Sequence, residues 1–162
     1  NPAEESTDIG PMISEKEAIR AHNWIQEAVQ AGAKLATGGS RNGTLLEPTI
    51  LVDVDPDMKV VCEETFAPIV SVIPFETEEE VIEMANDSVF GLQAGVFTND
   101  INRAMRVADG LETGGVWVNE TSTYRQDNYP YGGVKLSGVG KEGVKYAIED
   151  MTEIKFIGIK LS

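Results

Sequence analysis

The chain has 162 residues, the length of one ordinary domain and enough to bury a sizeable core. Its 27 acidic against 13 basic residues leave a net charge of −14, which repels phosphate backbones and anionic bilayers and argues against nucleic acid or a membrane as partner. A single cysteine forms no internal disulfide, no run approaches the ~18 apolar residues of a membrane span, and the polar start has no signal-peptide core, so a cytoplasmic setting is expected. A polar start without Met also suits a chain cut from within a longer one.

In chain order, Ser14-x-x-Glu17 has the capping-box pattern, and Ala18, Ile19, Ile25, Ala28 and Val29 recur at helical spacing up to Gly32, predicting a helix. Residues 34–37 read as a short strand, followed by the turn pairs Gly38-Gly39 and Asn42-Gly43, which can return the chain antiparallel. Residues 45–52 are expected as an edge strand or loop, because Pro48 donates no ladder hydrogen bond. The acidic residues 53–57 read as a solvated turn.

Residues 60–75, VVCEETFAPIVSVIPF, set the only cysteine beside two carboxylates, an aromatic and an Ala-Pro turn, just before an apolar strand at 69–73. Glu63 and Glu64 at the entrance to a buried strand must either reach solvent or hold a partner, and the spacing alone leaves both open. Thr77-x-x-Glu80 caps a helix through Val81, Ile82, Met84 and Ala85; residues 93–97 form the next strand, 100–110 the next helix, and 115–118 a third strand. This βαβαβ order predicts an α/β fold, a parallel sheet covered by helices, with functional loops at the carboxyl ends of its strands.

Residues 119–137 lack periodicity but hold Tyr124, Arg125, Tyr129 and Tyr131, the composition of a binding loop. A short helix is expected over 141–150 and a last strand over 152–161. On that strand the apolar side switches midway between Phe156 and Ile157, which suits pairing with a second subunit.

Several chemistries are weak here. Gly138-x-Gly140-x-x-Gly143 has the letters of a dinucleotide fingerprint but no apolar strand before it, and Gly140-Lys141 has neither the Ser or Thr nor the upstream Gly of a P-loop. One His and one Cys offer no zinc spacing, so no metal site is expected. Cys62 and His22 could form a thiol and its base, but a lone Cys beside Val60 and Val61 reads first as a small buried hydrophobe.

Residues 63–70, EETFAPIV, resemble the E-E-x-F-G-P-x-x segment of the aldehyde dehydrogenase superfamily. Other motifs follow in that family's order, among them Gly10-Pro11, Gly32-Ala33-Lys34, Phe90-Gly91-Leu92, Val116-Trp117-Val118-Asn119, Pro130-Tyr131-Gly132-Gly133, and the closing Met151-Thr152-Glu153-Ile154-Lys155. The resemblance spans essentially the whole chain. It implies oxidation of a small-molecule aldehyde to an acid with NAD or NADP, through a thiohemiacetal on a catalytic cysteine.

By the same resemblance the nucleophile, the general base and most of the cofactor fold precede Asn1. No catalytic residue is then expected in this chain, which would be inactive alone. Residues 1–150 would be the C-terminal part of the catalytic domain, and 151–162 an oligomerisation strand of a homo-oligomer, dimer or tetramer. Glu64 resembles the carboxylate that accepts hydrogen bonds from the nicotinamide ribose, and Phe66 the aromatic packed near the nicotinamide; Ala67 stands where the family usually has Gly. Tyr131 resembles an aromatic of the substrate tunnel, with Tyr124 and Arg125 in the substrate-access loop. The run Tyr124-Arg125-Gln126-Asp127-Asn128 is most similar to enzymes for lactaldehyde, succinic semialdehyde or, without phosphorylation, glyceraldehyde 3-phosphate, where Arg125 can pair with an anionic tail. The competing class is a non-catalytic interaction module that kept the fold; the sequence upstream of Asn1 discriminates the two.

Overall fold

The structure, a computed structural model, describes residues 1–161. The chain divides into two units, Asn1–Phe75 and Glu76–Ser162, and Ser162, the last residue of the expected 151–162 strand, lies outside the described residues.

In the first unit, Ser14 starts helix α1 (Glu15–Gln30) by accepting the Glu17 N–H on its hydroxyl at 3.3 Å. The helix then buries one stripe, Ala18, Ala21, Ile25 and Ala28, while Ile19 and Val29 stay at its margin. Strand β1 (Lys34–Thr37) pairs antiparallel with β4 (Thr49–Val52) across a bulge, and β4 pairs parallel with β5 (Ile69–Val72). Between them β2 (Arg41–Asn42) and β3 (Leu45–Leu46) form a hairpin whose two-residue loop is Gly43-Thr44, one residue on from the expected Asn42-Gly43 pair, because Asn42 itself pairs with Leu45; Gly43 takes φ 60°.

The sheet order is β1-β4-β5, which corrects the expectation for residues 45–52: their second half is the central strand, not an edge. Pro48 lies one residue before the ladder begins, so its missing N–H removes no bond from it. Thr49, almost fully buried, is satisfied on both sides; its hydroxyl donates to Glu47 O at 2.7 Å and accepts the Gly39 N–H at 2.9 Å. Leu51 alternates onto the helix-facing side and packs with Ile25, Leu46, Val54, Val60 and the helix alanines to form the core. A single-turn helix, α2 (Lys59–Cys62), leads from Met58 toward β5.

In the second unit, α3 (Glu78–Asn86) has a complete capping box between Thr77 and Glu80. Strands β6 (Phe90–Gly91) and β7 (Gln93–Val96) precede α4 (Ile101–Gly110), whose N-cap Asp100 accepts the N–H groups of Asn102 and Arg103 at 2.9 and 3.2 Å. Strand β8 (Gly115–Val118) then pairs parallel with β7, Gln93 opposite Gly115 and Val96 opposite Val118. The predicted parallel β-α-β unit is therefore present at 93–118.

Its neighbour is not, since β5 pairs with β4 and not with β7, and the βαβαβ segment contributes to two separate sheets among the described residues. Strand β9 (Val134–Lys135) pairs antiparallel with β6, and α5 (Val144–Asp150) starts three residues later than expected, after Gly143 at φ 112°. The Gly138 to Gly143 run thus follows a two-residue antiparallel strand, unlike the long parallel strand that a dinucleotide fingerprint requires. Residues 152–161 are exposed and have no regular structure, with no partner strand among the described residues.

Candidate functional site

In the second unit, the loop that leaves the carboxyl end of β8 doubles back to form a cleft of about 200 Å³. It runs along β8 and also reaches Gln93 and Gly115, the first residues of β7 and β8, so it is not confined to the carboxyl ends of the strands. A glycine allows this fold-back. A Cβ on Gly114 would stand 1.6 Å from the carbonyl oxygen of Gly132, so only glycine lets the Pro130-Tyr131-Gly132 segment close onto the start of β8.

The cleft gathers Tyr124, Arg125 and Tyr131, the three residues expected in a substrate site. Trp117, on β8, is their aromatic floor: its ring meets Tyr124 edge-on at 4.9 Å and 82°, and Tyr129 at 5.7 Å and 47°. The Tyr124 hydroxyl accepts a hydrogen bond from the Gln126 side chain. The Arg125 guanidinium lies 4.5 Å above the Tyr131 ring and donates to Glu142 Oε2 at 2.5 Å. Glu142 is tied to Tyr131 in turn by two backbone hydrogen bonds, 2.6 and 3.2 Å.

Sequence reading missed Trp117, Glu142 and Gln93 as parts of this cleft and its support. Strand alternation could have flagged Trp117, which shares a face of β8 with Gly115. Glu142 carries no such signal, because its link to Arg125 depends on a bridge between Tyr131 and a residue beyond the next turn.

Glu64 and Phe66 lie in the first unit, on the turn between α2 and β5. Glu64 is exposed and in no ion pair among the described residues, and Phe66 is 78% exposed at φ 42°, a left-handed conformation that costs a bulky residue energy. Because Phe66 takes the positive φ, Ala67 in the family's usual glycine position has a negative one and needs no glycine there. Arg20 of α1 tethers the turn, donating from Nη2 to Thr65 O at 2.7 Å while Nε pairs with Glu17 at 2.6 Å and the guanidinium covers Trp24 at 4.4 Å. The Glu17 and Trp24 partners, three and four residues away on the same helix, are legible from spacing, whereas Thr65 is not.

Cys62 and His22 are not joined. His22 Nε2 meets the Gln26 amide at 2.9 Å, its Nδ1 has no partner among the described residues, and Cys62 Sγ faces Asp57 O at 3.5 Å. Cys62 is exposed, which corrects its reading as a core residue: α2 is one turn long and buries Val60, leaving Cys62 on the outer side. Among the described residues no three His, Cys, Asp or Glu side chains cluster as metal ligands, and no helix is long and apolar enough to cross a membrane.

The model of the aldehyde dehydrogenase family matches residues 1–157. A 3-sulfolactaldehyde dehydrogenase of Priestia megaterium is 54% identical over 161 residues, 99% of this chain and 34% of that protein. A lactaldehyde dehydrogenase of Methanocaldococcus jannaschii is 48% identical over 157 residues, 97% of this chain and 34% of that protein. Among solved structures, aldehyde dehydrogenase 21 of Physcomitrella patens in complex with the reaction product succinate superposes with a TM-score of 0.91 at 44% identity, covering 94% of this chain and 32% of that one. Glyceraldehyde-3-phosphate dehydrogenase GapN of Methanocaldococcus jannaschii, complexed with NADP, gives 0.89 at 48% identity, covering 96% and 34%. The chain thus spans about a third of the length of the curated relatives it matches. It belongs to the aldehyde dehydrogenase family.

Proposed function

We propose that the chain is the C-terminal third of an NAD(P)-dependent aldehyde dehydrogenase that oxidises a small aldehyde with an anionic tail to the carboxylic acid. The nucleophilic cysteine, which forms the thiohemiacetal, lies in the preceding part of that enzyme, and this segment alone is inactive. Residues 1–150 complete its catalytic domain, and 151–162 serve as a strand between subunits of a cytoplasmic homo-oligomer; the exposure of Ile154, Phe156, Ile159 and Leu161 supports that role.

The observation that carries this reading is the cleft in which a guanidinium, Arg125, is stacked on Tyr131 beside Trp117 and Tyr124. Aromatic walls exclude water around an aldehyde's carbon chain, and the guanidinium offers paired donors to a carboxylate, sulfonate or phosphate tail. The relatives named for 3-sulfolactaldehyde and glyceraldehyde 3-phosphate, and the one complexed with succinate, support a tail of that kind.

Glu64 and Phe66 suit the cofactor's nicotinamide end. An ionised carboxylate accepts two hydroxyl hydrogen bonds from a ribose diol, and Glu64 has no ion pair among the described residues to compete for it. Phe66 presents its ring outward, held by the turn that Arg20 tethers, and can cover one face of the flat nicotinamide. When bound, the nicotinamide supplies the hydride acceptor.

Arg125→Ala in the intact enzyme tests the site. Loss of a charged hydrogen bond is expected to raise KM for an anionic aldehyde about 10-fold, at the low end of the range because Arg125 is half exposed, with little change for a neutral aldehyde of similar size. Equal effects on both reject the anchor.

A further inference from the structure

Resting on the reading of Arg125 as the tail anchor, the cleft contains a competitor for that anchor. Glu142 Oε2 accepts from Arg125 Nη2 at 2.5 Å, so one charge-assisted hydrogen bond of the guanidinium is already used inside the chain. The backbone that carries this carboxylate is held beside the anchor. Its N–H donates to Tyr131 O at 2.6 Å and its carbonyl accepts from Tyr131 N–H at 3.2 Å, while the Tyr131 ring supports Arg125 from the other side. Anchor, ring and carboxylate therefore form one closed group.

We propose that Glu142 is a specificity-determining residue: an internal anion that occupies Arg125 until the anionic tail of the aldehyde displaces it. The pair is suited to exchange. Arg125 is 47% and Glu142 63% exposed, and an ion pair that open to solvent is favoured by no more than about fivefold in its equilibrium constant. Displacement thus weakens every anionic tail by the same factor, because vacating Arg125 is a property of the enzyme and not of the incoming group. A neutral aldehyde does not call on Arg125 and escapes that factor. When the cleft is empty, the guanidinium is not an open trap for any passing anion, and only a tail placed by the rest of the cleft competes with a carboxylate already positioned there.

The test uses the intact enzyme with an anionic aldehyde and a neutral one of similar size, in four forms: wild type, Glu142→Gln, Arg125→Ala and the double variant. Glutamine keeps the length of the side chain and the backbone bridge to Tyr131. The ratio of anionic to neutral KM is expected to fall about two- to fivefold in Glu142→Gln, and the effect to vanish in the Arg125→Ala background. An unchanged or raised ratio in Glu142→Gln overturns the proposal, as Glu142 would then be inert or simply hold Arg125 in place. A fall that persists fully without Arg125 also overturns it, because it reports the general field of a lost negative charge. Should Glu142→Gln lose its native melting transition, Glu142→Asp, which withdraws the carboxylate by one methylene, is expected to lower the ratio by a smaller factor, and a raised or unchanged ratio there overturns the proposal. Failure of the anchor itself is separate: it appears as no change in the ratio in Arg125→Ala alone.

Discussion

Leu51→Ala is the sharpest perturbation of the scaffold that carries Glu64 and Phe66. Leu51 is fully buried in the central strand β4, between Leu35 of β1 and Ser71 of β5, and faces α1. Leucine-to-alanine changes in cores cost about 2 to 5 kcal/mol, set by how far the surroundings collapse into the cavity. Here Ala21, Ala28 and Ala33 line the same cluster and have no rotamers with which to fill it, which places the cost near 4 kcal/mol. Ile50, the preceding residue, points to the opposite face and is 38% exposed, so Ile50→Ala loses only partial burial and leaves no closed cavity, for about 1.5 kcal/mol. The assay is urea unfolding of this chain followed by far-UV circular dichroism, with the m-value expected to hold while the midpoint drops. Equal costs for the two substitutions, or a larger one for Ile50, would refute the assignment of faces on β4.

Two further outcomes are expected. Glu78 accepts from Arg106 at 2.6 and 2.8 Å and from Arg103 at 3.2 Å, and the hydrogen bond to Arg106 holds its carboxyl below the usual carboxylate range. A depressed folded value stabilises above the unfolded pKa, and the stabilisation is lost as pH falls through the folded value; Glu78→Gln should therefore lower the melting temperature at about pH 7 while converging with the unsubstituted chain at about pH 2, and a constant difference across that window rejects the linkage. In the intact enzyme, Glu64→Gln should raise KM for NAD or NADP, or slow hydride transfer, about 10-fold, the scale of one charge-assisted hydrogen bond; unchanged steady-state kinetics with both cofactors removes its role.

Some features could be read without coordinates because their causes are local. The starts of α1, α3 and α4 follow from Ser14, Thr77 and Asp100, whose side chains each satisfy N–H groups two or three residues ahead. The parallel pair of β7 and β8 follows from a helix-length connection between two apolar runs. Tyr124, Arg125 and Tyr131 were nominated by composition and resemblance, and they do line one cleft. Glu142 was not, because an ion pair between residues on two different loops leaves no periodic trace.

The amino-acid sequence by itself determined the capped helices, the β-α-β unit at 93–118 and, through motifs kept in order, the family. Each depends on contacts within a few residues or on a pattern along the chain. Tertiary structure alone decided which strand is central, that β5 and β7 serve different sheets, that Cys62 faces outward, and that the Arg125 charge is met by Glu142. These depend on pairing between segments far apart in the chain, where hydrogen-bond partners and burial are set by packing, and no local propensity encodes them.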